Sequence, residues 1–243
     1  MTYCVGVNLK TGLVFASDSR TNAGVDNVAR FAKMRVFCKE DDRVIVTMSA
    51  GNLSITQNVL STLELAARSD PQALGIWTAT SMFEVARLIG DTVRSVKDHD
   101  DKYLRAENVD SSASFIVGGQ IKGEKQRLFH IYSEGNCIES SDDTPYMQIG
   151  EIKYGKPVFD RIISRDTSLS DAVKCTIVSF DSTMRSNLSV GAPIDLLVYE
   201  KDALRVKLQR RLDERDSYLA TIRTDWDKGL LDVFDALPPN PWL

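Results

Sequence analysis

The sequence predicts an α+β fold in which two central β-sheets lie between layers of helix. The first observation is the order of predicted elements: four strands, two helices, two strands, two helices and a final strand pair. The second is that the strand segments are almost continuously apolar, which is typical of sheets covered on both faces. The third is that the longer predicted helices carry an apolar residue every three to four positions, giving each a face to pack on a sheet.

The chain begins with a predicted β-hairpin. Val5 and Val7 lie in its first strand, residues 9–12 form the turn, and Asp18 follows the apolar second strand. If the connecting loop has three residues, Asp18 lies directly across the hairpin from Thr2. A loop of two or four residues shifts the register by one, and a bulge is then needed to bring Asp18 to the same face.

Thr2 stands where this first strand begins, and it is a candidate nucleophile. Its side chain is small enough for removal of Met1 to be expected, which would leave Thr2 as the N-terminus. A terminal threonine carries a hydroxyl nucleophile and, on the same residue, an α-amine of near-neutral pKa that can act as its base. One residue would then supply both members of a nucleophile–base pair.

A third strand is predicted over residues 30–38, with Lys33 near its start. A lysine beside the Thr2 hydroxyl favours the alkoxide and lowers the pKa of the amine by like-charge repulsion, and Asp18 would hold that lysine charged. On spacing alone, however, ordinary surface charges at strand ends explain Asp18 and Lys33 better.

The fourth strand, over residues 43–50, ends at Gly51, and a helix is predicted over residues 53–68. A backbone N–H between a strand and a helix N-terminus can stabilise a developing oxyanion. A glycine needed only for the tight turn explains this position equally well. A second helix is predicted over residues 81–97, followed by a polar, solvated connection over residues 98–108.

The second half of the chain repeats the alternation of strands and helices. Strands are predicted over residues 113–119 and 128–132, helices over 157–165 and 168–186, and a closing strand pair over 194–199 and 204–208. Residues 1–210 would form one domain, and residues 211–243 a helical extension with a proline-containing tail. This apolar arm could dock on a neighbouring subunit or fold back on its own domain, and the sequence favours neither.

One other sequence signal points to different chemistry, and two further kinds of site are poorly supported. Gly150 to Lys156 fits the start of a phosphate-binding loop, but Pro157 replaces the metal-binding Ser or Thr and Glu151 places a carboxylate in the cradle. Nucleotide binding is therefore a minority interpretation. The two histidines, His99 and His130, are too few for a three-histidine metal site, and no GxSxG motif supports a serine triad.

Composition excludes several function classes. With 243 residues, 43% of them hydrophobic, the chain is long enough for one domain with a sizeable core. A net charge of −4 without a basic stripe argues against nucleic-acid binding, and no apolar run approaches the length of a membrane span. The four scattered cysteines lack CxxC spacing and are best explained as free thiols in a reducing cytoplasm. Nothing in the sequence calls for a metal or a cofactor.

The motifs that carry most information are the opening Met-Thr-Tyr-Cys-Val-Gly, the run Ser17-Asp18-Ser19-Arg20-Thr21, and Ser49-Ala50-Gly51-Asn52. With Thr2 and Lys33, they resemble the proteasome β-type subunits of the N-terminal nucleophile (Ntn) hydrolases. The resemblance is stronger to the bacterial ancestral-β-subunit branch, Anbu, and it extends to about residue 200. It implies a four-layer αββα sandwich and a homo-oligomer, either a ring or a spiral.

The resemblance also implies roles for individual residues. Thr2 would attack a peptide or amide substrate, Asp18 would orient Lys33, and the Gly51 N–H would receive the oxyanion. Substrate side chains would be bound by Thr21, Phe31, Arg35, Ser49 and Leu53.

Two departures from the proteasome pattern stand out. Asn187 occupies the place of an aspartate that holds the N-terminal amine, with Ser186 or Ser189 as the accompanying hydroxyl. Glu151 occupies the place of an assisting serine. Because of these departures, a catalytically idle, self-assembling scaffold stays open as an alternative to a threonine peptidase.

Overall fold

Two five-stranded antiparallel sheets form the centre of the molecule. The computed structural model of the chain describes residues 1–22, 28–69 and 74–242. The strand order of the first sheet is β10 (Tyr146–Gly150), β1 (Tyr3–Leu9), β2 (Gly12–Asp18), β11 (Ile194–Glu200) and β12 (Leu208–Leu212). The strand order of the second sheet is β5 (Met34–Lys39), β6 (Arg43–Gly51), β7 (Ala113–Ile121), β8 (Arg127–Ile131) and β9 (Cys137–Glu139). A separate short pair consists of β3 (Arg20–Asn22) and β4 (Val28–Arg30).

Among the described residues there are five helices, and four of them lie on the outer faces of these sheets. In chain order, the five are α1 (Leu53–Ser69), α2 (Met82–Ala106), α3 (Lys156–Ile162), α4 (Leu169–Ser186) and α5 (Ser217–Asp235). The fifth, α5, packs against α4. One apolar cluster joins the second sheet to α1 and α2, and another joins the first sheet to α3, α4 and the start of α5. None of the described helices combines the length and apolarity needed to cross a membrane.

A third apolar cluster fills the space between the two sheets. Phe15 and Leu197 of the first sheet meet Met48, Ile116 and other residues of the second. Along β1, Val5 and Val7 face the helices while Cys4 faces the opposite sheet, because successive side chains of a strand alternate between its faces. The layers therefore run helix, sheet, sheet, helix, which confirms the predicted four-layer α+β sandwich.

The hairpin that begins the chain has a two-residue turn. Leu9 pairs with Gly12 and Cys4 with Ser17, so of the three loop lengths left open by the sequence the two-residue loop is present, and Asp18 is not directly opposite Thr2. Instead, the Asp18 Oδ1 atom accepts a hydrogen bond of 2.9 Å from the backbone N–H of Tyr3. The carboxylate thus reaches the start of β1 through its side chain.

Several predicted boundaries were wrong for identifiable reasons. Helix α2 continues to Ala106 through the segment expected to be a connection, because Leu104 packs against the core and Asp101 pairs with Arg105. The third strand was expected from residue 30, but β5 begins at Met34. The last strand, β12, begins at residue 208 instead of ending there, after a loop in which Leu204 has a φ of 46°.

Candidate active site

A buried ion pair lies beside the start of β1. Lys33 occupies the short segment between β4 and β5, and its Nζ donates to Asp18 Oδ1 at 2.7 Å and to the Arg20 carbonyl oxygen at 2.6 Å. The side chains of Lys33 and Asp18 are 5% and 0% exposed. Such deeply buried charges are stable only when each compensates the other. The structure thus brings together two residues that spacing alone had left as ordinary surface charges.

Burial raises the pKa of the Asp18 carboxyl above its usual value. The positive charge of Lys33, its hydrogen bond and the backbone N–H of Tyr3 act in the opposite direction by favouring the carboxylate. The ionised state of Asp18 therefore depends on Lys33.

The N-terminal amine, which belongs to Met1 in this structure, lies within the field of the same charges. Burial and the positive charge of Lys33 lower its pKa from the ordinary value, while the negative charges of Asp18 and Glu151 raise it. The half-buried Thr2 is the next residue, and its carbonyl oxygen accepts a 2.7 Å hydrogen bond from the Glu151 N–H. Thr2, Asp18 and Lys33 thus meet at one end of the first sheet.

Gly150 makes the close approach of Thr2 to the end of β10 possible. Its φ is 85°, and a Cβ atom at this position would lie 1.9 Å from the Thr2 carbonyl oxygen. Any side chain here would push against the backbone of the candidate nucleophile.

Gly51 is the exposed last residue of β6, two positions before α1 begins. Its φ is 108°, and an added Cβ would lie 2.2 Å from the Ser112 carbonyl oxygen, so the backbone here requires glycine. Asn52 then caps α1, because its Oδ1 accepts hydrogen bonds from the N–H groups of Ser54 and Ile55. The structural explanation for this glycine is therefore sufficient, and its role toward an oxyanion stays a prediction.

Asn187 and Glu151 contact each other. The Asn187 Nδ2 donates to Glu151 Oε2 at 2.9 Å. The Asn187 Oδ1 in turn accepts from the N–H of Ser189 at 3.0 Å and from its hydroxyl at 2.5 Å. Ser189 is therefore the serine held by Asn187. The two departures from the proteasome pattern form one connected unit.

A cavity of about 280 Å³ opens next to Lys33. Four of the five expected substrate-binding residues line it: Phe31, Arg35, Ser49 and Leu53. The fifth, Thr21 of β3, is not among the lining residues in the described part of the chain.

Comparison with known proteins decides the family. No family model matches the sequence. A curated relative, proteasome subunit beta 2 of Pyrobaculum islandicum, is 28% identical over 211 residues, covering 84% of this chain and 94% of its own. The structure of Anbu (ancestral beta-subunit) from Yersinia bercovieri matches with 47% identity, a TM-score of 0.92 and 98% of each chain covered. The chain belongs to the Anbu family.

Two other Anbu structures agree with this assignment. The helical assembly of the Anbu complex from Pseudomonas aeruginosa matches with a TM-score of 0.93, 46% identity and 98% coverage of each chain. A Gly-1 mutant of Anbu from Hyphomicrobium sp. matches with a TM-score of 0.91, 44% identity and 99% coverage of each chain. Because these matches span nearly the whole chain, they confirm the resemblance stated from the sequence.

Helix α1 contributes cavity residues of this Anbu chain that sequence reasoning missed. Beyond Leu53, they are Thr56, Gln57, Leu60, Ser61 and Glu64. Residues three and four apart share one face of a helix, so extending the pattern from Leu53 along α1 could have found them. Together with Arg35, they make the cavity wall largely polar.

The segment with phosphate-loop spacing is used differently in this Anbu chain. The Glu151 N–H is bonded to Thr2, and the Lys156 Nζ is held by Asp160 at 2.7 and 2.8 Å. Pro157 lies in the first turn of α3, as predicted. Two groups that a phosphate would need are thus already engaged, which favours a structural role for this segment.

Proposed function

We propose that this Anbu chain is an N-terminal threonine hydrolase that cleaves peptide or other amide bonds. After removal of Met1, Thr2 would form an acyl-enzyme. The observation that supports this most strongly is the buried Lys33–Asp18 pair beside the start of β1. A buried cation next to a hydroxyl favours its alkoxide, and a surface location would have weakened that effect by solvent screening.

The reaction begins with attack of the Thr2 hydroxyl on the substrate carbonyl carbon. The hydroxyl proton passes to the Thr2 amine, directly or through a water molecule, and Lys33 stabilises the developing alkoxide. The Gly51 N–H donates to the oxyanion of the tetrahedral intermediate. Collapse transfers the proton to the leaving amine and leaves an ester on Thr2, which water hydrolyses. Asn187 and Ser189 hold the region around the amine.

The cavity beside Lys33 would take the substrate side chain next to the scissile carbonyl. Its volume of about 280 Å³ is enough for one amino-acid side chain. Phe31 and Leu53 offer apolar contacts, whereas Arg35 and Glu64 bring both signs of charge.

The test is mass analysis of the purified chain before and after reaction with a peptide activated ester. We expect Met1 to be absent and one acyl group to be added at Thr2, because only a free terminal threonine forms the ester by this route. Retention of Met1 in protein from the native host, or acylation elsewhere only, would reject the hydrolase and leave the idle scaffold.

We further propose that the extension formed by residues 211–243 mediates self-association. The start of α5 packs on its own domain through Leu219, Ile222 and Trp226. Beyond this point, the helix exposes large apolar side chains: Leu230, Leu231, Val233 and Phe234. Contiguous exposed apolar surface of this kind is typical of protein interfaces.

The four cysteines are free thiols, which supports assembly in a reducing cytoplasm.

Replacing Phe234, which is 70% exposed, by aspartate should weaken assembly at least tenfold. Burying a phenylalanine contributes roughly 1.5–3 kcal/mol, and a charge in its place would have to be desolvated. Sedimentation velocity over a concentration series measures the change. The matched control is Thr224→Asp, which adds the same charge to the exposed surface of α5. Equal assembly of the two variants would contradict a role for this surface.

A further inference from the structure

Glu151 and Asn187 are complementary to each other, and this complementarity indicates a function. We infer that Glu151 is a positioning residue that supplies the negative charge beside the Thr2 amine, with Asn187 holding its carboxylate in place. The inference rests on the hydrolase function proposed above and assigns to a different element the charge that the proteasome pattern places at position 187.

The geometry fixes the orientation of the pair. Glu151 is 6% exposed, and its backbone N–H is bonded to the Thr2 carbonyl oxygen. The Asn187 Oδ1 accepts two hydrogen bonds from Ser189, so the amide nitrogen must point at Glu151 Oε2. An aspartate at position 187 could not donate this hydrogen bond to Glu151. A glutamate at 151 and an amide at 187 thus fit together, whereas two carboxylates would repel each other.

Charges from three parts of the chain act on the N-terminal amine, which is that of Met1 in this structure and precedes Thr2. They are Lys33 before β5, Asp18 of β2 and Glu151 after β10. Asp18 is the stronger of the two negative influences, and its Oδ1 also accepts hydrogen bonds from Lys33 and from the Tyr3 N–H. Among the described residues, no ion pair involves Glu151, so its charge is not paired with a cationic side chain and is available to the amine.

The proposed chemistry uses this charge at a defined step. When the hydroxyl proton moves to the Thr2 amine, the amine becomes an ammonium, and Glu151 stabilises that cation. Glu151 would thereby strengthen the Thr2 base, as its negative charge raises the pKa of the Met1 amine in this structure, whereas Lys33 and burial act in the opposite direction. When the ammonium later gives its proton to the leaving amine, the original charge distribution returns.

The test compares Glu151→Gln with the double variant Glu151→Gln/Asn187→Asp. The double variant removes the negative charge at position 151 and restores one at position 187. Each full-length chain is treated with methionine aminopeptidase so that Thr2 is terminal. The pH dependence of N-terminal acetylation by acetic anhydride, read by mass spectrometry, then gives the amine pKa without requiring any hydrolysis. Glu200→Gln, at an exposed ion pair with Lys207, is the charge-matched control.

We expect Glu151→Gln to move the acetylation midpoint to lower pH and the double variant to move it back. The value of kcat should fall about tenfold or more in the single variant, and the acidic limb of its pH profile should shift in the same direction. An unchanged midpoint in Glu151→Gln, or a shift equal to that of Glu200→Gln, would overturn the inference even if hydrolysis is normal. A shifted midpoint in a chain that hydrolyses nothing would keep the charge assignment and reject the hydrolase.

Discussion

Replacing Thr2 by alanine is expected to abolish amide hydrolysis, whereas serine in its place should retain measurable activity. Both variants keep the terminal amine, Lys33 and Asp18, and both replacements are small enough for Met1 to be removed. Only the alanine variant lacks the hydroxyl that attacks the substrate. Loss of a nucleophile typically lowers kcat by a factor on the order of 10⁴ or more.

The measurement is turnover of a fluorogenic peptide by the three proteins after mass analysis confirms that Met1 is absent from each. Thr2 is half-buried and lies before the start of β1. The free energy of unfolding of the alanine variant should therefore differ from that of the original chain by less than about 1 kcal/mol. Equal turnover by the alanine and threonine proteins would show that another group attacks the substrate.

The layers of the fold could be predicted from the sequence because its signals there are local. The strand segments of β1, β2 and β6 are buried along almost their whole length, and such runs read as strands covered on both faces. The apolar stripe of α4 likewise gave nearly correct bounds, and Ser168, at the predicted start, caps that helix.

The boundaries that failed lie where local signals are weak. Four of the five residues of β12 are exposed, so no alternation marks it as a strand. The last part of α2 is polar and is held by i,i+4 pairing and by one leucine, which resembles a solvated connection in sequence. The hairpin register depended on a turn that could have two, three or four residues, and composition did not distinguish them.

The candidate site was predictable only in part, for a related reason. Thr2, Asp18 and Lys33 come from segments that are close in sequence near the N-terminus. The motifs in these segments could therefore identify the three residues as one site. Glu151 and Asn187 are 36 positions apart. Considered separately, each was interpreted as a departure from the residue that the proteasome pattern has at that position. Their hydrogen bond is visible only once β10 and α4 are packed beside β1.

Replacing Lys33 by methionine is expected to lower both stability and activity strongly. Methionine matches the length of the lysine side chain but leaves Asp18 buried without its cation. Removing one member of a buried ion pair typically costs about 3–5 kcal/mol. Activity should fall to the background level because the hydroxyl loses the adjacent positive charge. Urea unfolding at fixed protein concentration measures the first effect, and peptide turnover the second.

The effect on stability should depend on pH in a defined direction. Burial already raises the pKa of Asp18 in the folded chain, and loss of Lys33 removes the largest opposing influence. A carboxyl whose folded pKa exceeds its unfolded value stabilises the fold below the unfolded value, and this contribution is lost as pH rises through the folded value. The variant should therefore approach the stability of the original chain at acidic pH and fall furthest behind at neutral pH.

A double variant, Asp18→Asn/Lys33→Met, separates the structural from the catalytic role of Lys33. Without a buried charge it should recover much of the stability at neutral pH while its activity stays at background, since the cation beside Thr2 is still missing. Lys39→Met, at a surface pair with Asp42 separated by 3.7 Å, is the control and should change stability by less than about 1 kcal/mol. If the double variant regained hydrolysis together with stability, Lys33 would serve the fold alone. Recovery of stability without hydrolysis would show that the cation is buried here for its effect on the nucleophile.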